Sequence, residues 1–307
     1  MVGWENMYIE SEESKNMMKL NEDYLDVYYS SAYQKYINKN VRKLSLGRLW
    51  DEFRTGYFIK RINSMFNPKP LVKERVSQEL CDVEDKKVAV YTVIIGKYDN
   101  LHNPMYNSPQ CDYYLVTDND IDTSGTYWNK VDINKYNIPA EWSNTKKARY
   151  CKTHPELFFK EYEYSIFLDG NFLIVADLIP MVEKLGNSVF ATHLHPGNDC
   201  VYQEGKDIIA LGKSKSSDVN KQVNSYKSQG FPKHYGLFET NVLVRKHNDS
   251  ICMALDHSWW NEMEKYTLRD QLSLTYVLWK ENLGFNFVRI LGSNPRMNPR
   301  LRYLSHR

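Results

Sequence analysis

The chain has 307 residues, of which 42% are hydrophobic and 25% charged, and its net charge is +2. This balance argues against a dedicated nucleic-acid-binding protein, which is usually far more basic, and the five dispersed cysteines form no CxxC pair that would indicate a zinc knuckle or a disulfide framework. Because neither a secretory signal pattern nor an apolar run of about 18 residues stands out, we expect a cytoplasmic location.

Residues 1–80 differ in character from the rest and are predicted to form a helical, partly basic N-terminal extension. Basic residues outnumber acids between residues 35 and 75, and the stretch 46–66 carries apolar side chains at helical spacing opposite a basic face. Such a helix either rests on an anionic membrane surface or packs on the main domain with its charged face in water. The first alternative predicts peripheral association with the inner face of a membrane through residues 35–75.

From Lys86 onward, short strand-like runs alternate with helical stretches, which is the pattern of an α/β sheet. We expect one domain over residues 86–307, with a Rossmann-like, mixed and mostly parallel sheet flanked by helices. The predicted strands are 87–95, 112–118, 164–169, 188–195 and 238–247. The predicted helices are 143–160, 176–185, 218–229 and 250–282, the last with a break near Tyr266.

The carboxyl ends of the first two strands carry candidate nucleotide contacts, because ligands of open α/β sheets bind beyond these ends. Gly96 permits close backbone approach after the first strand, and Tyr98 and Asp99 suit a base and a ribose. Asp118 follows the second strand. Turns of this kind also occur without any ligand.

The third predicted strand runs into Asp169-Gly170-Asn171 and returns at once to an apolar run. The carboxylate of Asp169 and the amide oxygen of Asn171 suit Mg²⁺ or Mn²⁺, which would bridge a diphosphate. Gly170 lets the turn be sharp and admits a phosphate close to the backbone. A plain β-turn explains the same three residues equally simply.

The helix predicted at 143–160 places Arg149 and Lys152 three residues apart on one face. Because this helix precedes the acidic corner, the two cations could neutralise nucleotide phosphates. The alternative is a solvated helix face.

Six ordered blocks between residues 87 and 280 resemble the DUF616 family, the TOD/MUCI glycosyltransferase-like domain. The resemblance implies a GT-A-like fold and transfer of a sugar from a nucleotide donor. Asn171 departs from the D-x-D corner of many glycosyltransferases, so metal dependence follows less directly from the resemblance. The matching blocks are YTVIIGKYDNL (91–101), YSIFLDGN (164–171), HPGNDCVYQE (195–204), GLFETNVLVRKHN (236–248), WWNEM (259–263) and RDQLSLTYV (269–277).

The resemblance implies roles on the acceptor side of the site. Asp270 would accept the acceptor hydroxyl's proton in an inverting reaction, or hydrogen-bond the donor sugar in a retaining one. Glu239, at the start of the fifth strand, is the competing candidate. An acid at the start of a helix also serves as a cap or dipole partner, which is the alternative for Asp270.

Further contacts are expected around the donor. Thr92 joins Tyr98, Asp99 and Asp118 in lining the nucleoside, and Gln271 belongs to the nucleotide-sugar site. His247 would supply a third metal ligand. His195, which alternates with His193 on one strand face, and the aromatic residues Tyr235 and Trp259 would contact sugars, although ordinary packing explains all of them as well.

These expectations describe a Leloir-type glycosyltransferase with a nucleotide-sugar donor, UDP being favoured, and a surface-polysaccharide or lipid-linked glycan as acceptor. Mg²⁺ or Mn²⁺ would act as a Lewis acid for the departing nucleotide. Two alternatives remain open: a hydrolase or another phosphate-linked group transferase with the same diphosphate site, and a non-catalytic scaffold of a polysaccharide-synthesis complex.

Overall fold

The computed structural model describes residues 80–96 and 98–304. The extension predicted for residues 1–80, apart from its last residue, and the membrane-associated segment 35–75 lie outside this part of the chain. Within it, every helix is too short or too polar to cross a bilayer.

Residues 80–96 and 98–304 contain nine strands in two sheets, and the larger sheet carries the fold. The strands are β1 (Val88–Ile94), β2 (Cys111–Thr117), β3 (Trp128–Asp132), β4 (Tyr164–Leu168), β5 (Phe172–Ile174), β6 (Phe190–Leu194), β7 (Phe238–Arg245), β8 (Arg289–Ile290) and β9 (Leu301–Tyr303). The seven-stranded sheet has the order β3-β2-β1-β4-β7-β6-β8, while β5 and β9 pair separately. Only β7 runs antiparallel to its neighbours among these seven strands. The predicted mixed and mostly parallel sheet is therefore confirmed.

Helices cover both faces of the sheet. They are α1 (Asn144–Thr153), α2 (Ile179–Glu183), α3 (Val201–Ala210), α4 (Ser216–Ser228), α5 (Ser250–Lys265) and α6 (Asp270–Lys280). Successive β1 side chains alternate between two hydrophobic clusters: Ala89 and Tyr91 belong to one, Val88 and Val90 to the other. A sheet buried on both faces needs apolar side chains at nearly every position of its central strands, which explains the continuous apolar runs of β1 and β4.

The helix predicted at 143–160 is shorter in the structure and ends at Thr153. The reason is local, because the residue before a proline is disfavoured in the α conformation, and Pro155 begins a 3₁₀ turn instead. The predicted break near Tyr266 is confirmed, since α5 ends at Lys265 and α6 begins at Asp270.

The carboxyl end of α1 is anchored to the sheet by buried polar groups. The Lys152 carbonyl accepts hydrogen bonds from the Tyr91 hydroxyl at 3.0 Å and from Arg245 Nη2 at 2.9 Å. Arg245 is paired in turn with Asp256 of α5 at 2.8 Å. These bonds fix the carboxyl end of α1 on β1 and β7, and so fix the position of its side chains above the sheet.

Candidate active site

The carboxyl end of β4 and the amino end of antiparallel β7 meet at one edge of the sheet, and Asp169 lies between them. The Asp169 amide donates to the Asn241 carbonyl at 2.9 Å, and the Asn241 side-chain amide donates to the Asp169 carboxylate. The turn closes with a bond from the Phe172 amide to the Asp169 carbonyl at 3.0 Å. Asn241, which the sequence analysis did not single out, therefore orients the Asp169 carboxylate.

The Asp169 turn touches the loop after β1 at Gly170. A Cβ atom at position 170 would lie 3.2 Å from both Cβ and Oδ2 of Asp99 and 3.3 Å from Ile94 Cγ1. The close contact explains the glycine and brings Asp99 to the corner. Asn171 is buried beside it, and its carbonyl accepts a hydrogen bond from the Leu304 amide at 2.8 Å.

The loop after β1 is held by the end of β2. Gly96 adopts φ +64°, a conformation that favours glycine, and its amide donates to Asp118 Oδ1 at 2.8 Å. The side chain of Asn119 donates to the Gly96 carbonyl. Asp118 thus shapes the loop, while Tyr98 at its tip is 66% exposed and accessible to a flat ligand.

A buried ion pair lies beneath this edge. Lys152 Nζ is 2.6 Å from Asp270 Oδ2, and Arg149 Nε is 3.6 Å from the same oxygen. Burial opposes ionisation of Asp270, but Arg149 and Lys152 outweigh that effect and hold its pKa well below the usual range. Because Lys152 is 1% exposed, the expectation that it contacts phosphate is corrected: its ammonium neutralises Asp270.

Arg149 is the more accessible cation of this cluster. Its side chain is 21% exposed, and its Nε also donates to the Leu268 carbonyl at 3.3 Å. Burial opposes its charge, but Asp270, Asp169 and Tyr98 are near enough to raise its pKa together, and Asp270 contributes most. Burial likewise raises the pKa of Asp169, and Lys152 and Arg149 offset that effect only in part.

A second polar group lies where β6 ends and β7 begins. His195 Nδ1 accepts from the backbone amides of Gly197 and Asn198 at 3.2 and 2.9 Å, so a neutral His195 carries its proton on Nε2. That Nε2 lies 3.5 Å from carboxylate oxygens of both Glu204 and Glu239. The structure therefore brings two predicted site residues, His195 and Glu239, together.

The other Glu239 oxygen, Oε1, lies 3.5 Å from Arg296 Nη2. Neither Arg296 nor Glu204 was expected from the sequence as a site residue, although Glu204 closes the block that begins with His195. Glu204 lies in α3 and Arg296 in the segment after β8, and no local sequence pattern predicts that either residue reaches this edge of the sheet.

The expectation that His247 is a third metal ligand is wrong. His247 follows the carboxyl end of β7, and antiparallel pairing places that end beside the amino end of β4, away from Asp169. Its side chain is buried, and Nε2 donates to the Phe159 carbonyl at 2.8 Å.

Two other expectations are corrected by burial. Trp259 is fully buried, and its Nε1 donates to the Asp270 carbonyl at 3.0 Å, so its ring packs in the core and offers no sugar platform. Thr92 is buried within β1 and does not line an open nucleoside surface. Tyr235 is half-buried against Phe231 and Phe285, and its sugar contact stays a prediction.

Gln271, at the start of α6, is half-buried beside the acid that precedes it. Its backbone amide donates to Asp270 Oδ1 at 3.2 Å. Its predicted role in nucleotide-sugar binding stays a prediction.

Buried histidines make stability depend on pH. Burial lowers the pKa of His193 to about 3 and that of His247 to about 4, below the unfolded value near 6.5. Unfolding therefore takes up protons as the pH falls below about 6.5, and each histidine should lower the free energy of unfolding by up to about 1.4 kcal/mol per pH unit.

Urea unfolding at pH 7.5, 5.5 and 4.5 tests this expectation. His247→Gln, whose amide can still donate to the Phe159 carbonyl, should reduce the pH slope by close to one proton. His234→Gln removes an exposed histidine and should keep the wild-type slope. Equal slopes in wild type and His247→Gln would contradict the prediction.

Comparison with known proteins relates residues 58–290 to the TOD1/MUCI70 glycosyltransferase-like domain. The match begins inside the segment predicted as an extension, so residues 58–80 belong to the family region together with the domain that follows. One curated relative, "Probable hexosyltransferase MUCI70" of Arabidopsis thaliana, is 23% identical over 219 residues. The alignment covers 62% of this chain and 37% of that protein, so the chain spans little more than a third of the relative's length.

Among solved structures, the apo form of the bifunctional glycosyltransferase WbbM matches with a TM-score of 0.46 and 16% identity. The match covers 73% of this chain and 46% of WbbM. The glycosyltransferase GlyE of Streptococcus pneumoniae TIGR4 matches with a TM-score of 0.37 and 15% identity, over 67% of this chain and 45% of GlyE. Similarity at this level leaves the chemistry to be argued from the family and from the site.

Proposed function

The chain belongs to the TOD1/MUCI70 glycosyltransferase-like family, and from that premise we propose that it transfers a hexose from a nucleotide-sugar donor to a glycan acceptor. The observation that carries the proposal is the convergence of Asp169, Asp99 and Arg149 at one open edge of the sheet. Such an edge suits a nucleoside diphosphate. The cation balances the charge of the phosphates, and the carboxylates bind the ribose hydroxyls or a metal ion. We assign the reaction to a single domain over residues 86–307.

The donor nucleotide lies across the loop after β1 in this proposal. Tyr98 stacks on the base, and Asp99 bonds the ribose through one carboxylate oxygen and leaves the other for an ion at the corner. Arg149 faces the diphosphate as the accessible cation. Asp118 supports the loop through its bond to the Gly96 amide. Lys152 acts indirectly. Because it shares Asp270 with Arg149, Asp270 neutralises the charge of Arg149 less fully.

The corner also fits a divalent cation. Mg²⁺ is usually held by one or two carboxylates together with substrate phosphates, and Asp169 with the adjoining Asp99 supplies that many. Burial raises the pKa of Asp169 because Lys152 and Arg149 compensate only part of the cost of burying its negative charge. A bound Mg²⁺ or Mn²⁺ would compensate the rest. The amide of Asn171 is the proposed third donor. When bound, the ion stabilises the charge of the departing diphosphate.

The acceptor role falls to Glu239 rather than to Asp270. A general base works best with a pKa near the operating pH, and the pKa of Asp270 is held far below it by two cations. Glu239 instead contacts a histidine and an arginine at the strand edge. We propose that Glu239, with His195 Nε2 3.5 Å away, takes the proton of the acceptor hydroxyl, and that Asp270 fixes Arg149 and Lys152.

Replacing Glu239 with glutamine should separate these roles. The amide preserves size and most hydrogen bonds but cannot take a proton, so turnover at saturating donor should fall by about a hundredfold while donor affinity stays within about twofold. Initial rates and calorimetric donor titrations measure the two effects. Glu163→Gln, at an exposed ion pair, is the control and should match wild type. A parallel loss of donor affinity would show that Glu239 binds the donor rather than the acceptor.

Calorimetry with UDP-, GDP-, CMP- and dTDP-sugars in the presence of Mn²⁺ tests the function itself. We expect a UDP-hexose to bind and to be consumed only when a surface-polysaccharide or lipid-linked glycan is added. Release of free sugar without acceptor would favour the hydrolase alternative. Failure of every nucleotide to bind would favour the scaffold.

We also retain the proposal that residues 35–75 hold the protein against an anionic membrane on the cytoplasmic side, where a lipid-linked acceptor would be found. Flotation of the full chain with anionic liposomes, compared with neutral ones, tests it. Absence from both floating fractions would retire the membrane proposal without affecting the transfer reaction.

A further inference from the structure

We propose that His154, Glu156 and His257 form a second metal site, which binds a transition-metal ion such as Zn²⁺ and ties the end of α1 to α5. One ligand atom from each side chain lies within 4.8 Å of the others. Two imidazoles and one carboxylate are ligands that Zn²⁺ prefers, whereas Mg²⁺ takes oxygen ligands alone. The chemistry of this site therefore differs from that of the Asp169 corner.

Chain geometry explains why these residues meet. Pro155, which stops α1, starts a 3₁₀ turn, and this turn includes Glu156 and is preceded directly by His154. His257 approaches from α5, and its Nε2 lies 3.0 Å from Glu156 Oε1. Ligands of a tetrahedral Zn²⁺ with bonds of about 2.1 Å are separated by roughly 3.4 Å, so a small rotation of the half-exposed His257 completes the spacing.

His154 is already oriented as a ligand. Its Nδ1 donates to the Tyr150 carbonyl at 2.9 Å, which leaves the lone pair on Nε2, and metal-binding histidines generally donate their other N–H to such a carbonyl. Its ring stacks between those of Tyr150 and His257, with centroid distances of 4.0 and 4.9 Å.

Glu156 supplies an independent observation. Its Oε2 is buried and, within the described part of the chain, makes no hydrogen bond. An unsatisfied buried carboxylate oxygen is costly, and a cation between the three side chains would satisfy it. An ordinary histidine–carboxylate pair, such as exposed His234 with Asp199 at 2.8 Å, needs no such partner.

The ion would act as a structural clamp. α1 carries Arg149 and Lys152 toward the candidate active site, and α5 packs beside it. Three protein ligands and a water at the exposed side complete a four-coordinate ion, and its release would loosen the carboxyl end of α1.

Titration of the full chain with Zn²⁺ against a chromophoric chelator tests the proposal. We expect one equivalent to bind to wild type, His257→Ala to raise its Kd at least about tenfold, and Glu156→Gln to do the same. His234→Ala is the matched control and should bind like wild type. Co²⁺ in place of Zn²⁺ should show the visible absorption of a four-coordinate ion in wild type and lose it in His257→Ala.

Thermal unfolding adds a readout that does not require turnover. Zn²⁺ should raise the Tm of wild type and of Asp169→Asn but leave that of His257→Ala unchanged. The Asp169→Asn arm keeps this test independent of the proposed transfer reaction. Equal Zn²⁺ affinity in wild type and His257→Ala, or no binding to wild type, would overturn the second site.

Discussion

An Asp169→Asn variant should transfer sugar about a hundred- to a thousandfold more slowly than wild type. The substitution keeps the size of the side chain and its contact with Asn241, but it removes the negative charge at the corner. In the proposed reaction that charge holds the cation which stabilises the departing diphosphate, and electrostatic stabilisation of developing charge is usually the largest single contribution to catalysis.

Initial rates with the preferred UDP-sugar and Mn²⁺ measure this effect. Asp82→Asn, an exposed acid that precedes β1 at the opposite edge, is the control and should retain wild-type rates. Because burial raises the pKa of Asp169, the neutral amide should be tolerated by the fold, and the Tm should change little. Near-normal turnover of Asp169→Asn would remove the metal from the proposal.

Asp270→Asn should lower the free energy of unfolding by about 3–5 kcal/mol. The carboxylate is the 2.6 Å partner of Lys152, whose ammonium is buried against the Phe167 ring at 4.8 Å. Without Asp270, this buried ammonium has no ion-pair partner among the described residues. Urea unfolding at pH 7.5 measures the loss.

A double replacement provides the matched control. Lys152→Met with Asp270→Leu removes both charges, and an apolar pair of similar volume is often neutral for stability, so most of the loss should be recovered. Lys86 and Glu163 form an exposed pair, and Glu163→Gln should leave stability nearly unchanged. If Asp270→Asn unfolds at the wild-type urea concentration, the ion pair does not hold this edge together.

Local sequence patterns predicted the parts of the fold that local physics controls. The apolar run of β4 ends at Asp169 because a strand buried on both faces must be apolar until it leaves the core. The break near Tyr266 is equally local. Helical spacing alone predicts the end of α1 too late, although Pro155 carries the signal that stops the helix at Thr153.

Strand order and direction decide which residues lie near Asp169, and local sequence patterns do not reveal them. His247 lies at the wrong edge because β7 runs antiparallel, and the same reversal brings Glu239 to the correct one. Lys152 and Asp270 are 118 positions apart in the sequence, and the residue spacing within either helix does not predict their contact. The burial of Trp259 likewise follows from packing between elements.

A crystal structure of the full chain with UDP and Mn²⁺ would examine the donor site itself. We predict the pyrophosphate beside Asp169 and Asp99 at the carboxyl ends of β1 and β4, facing Arg149, with the base at Tyr98. Nucleotide bound at another surface, or a fully occupied nucleotide with Asp169 turned away from its phosphates, would contradict the proposed donor site.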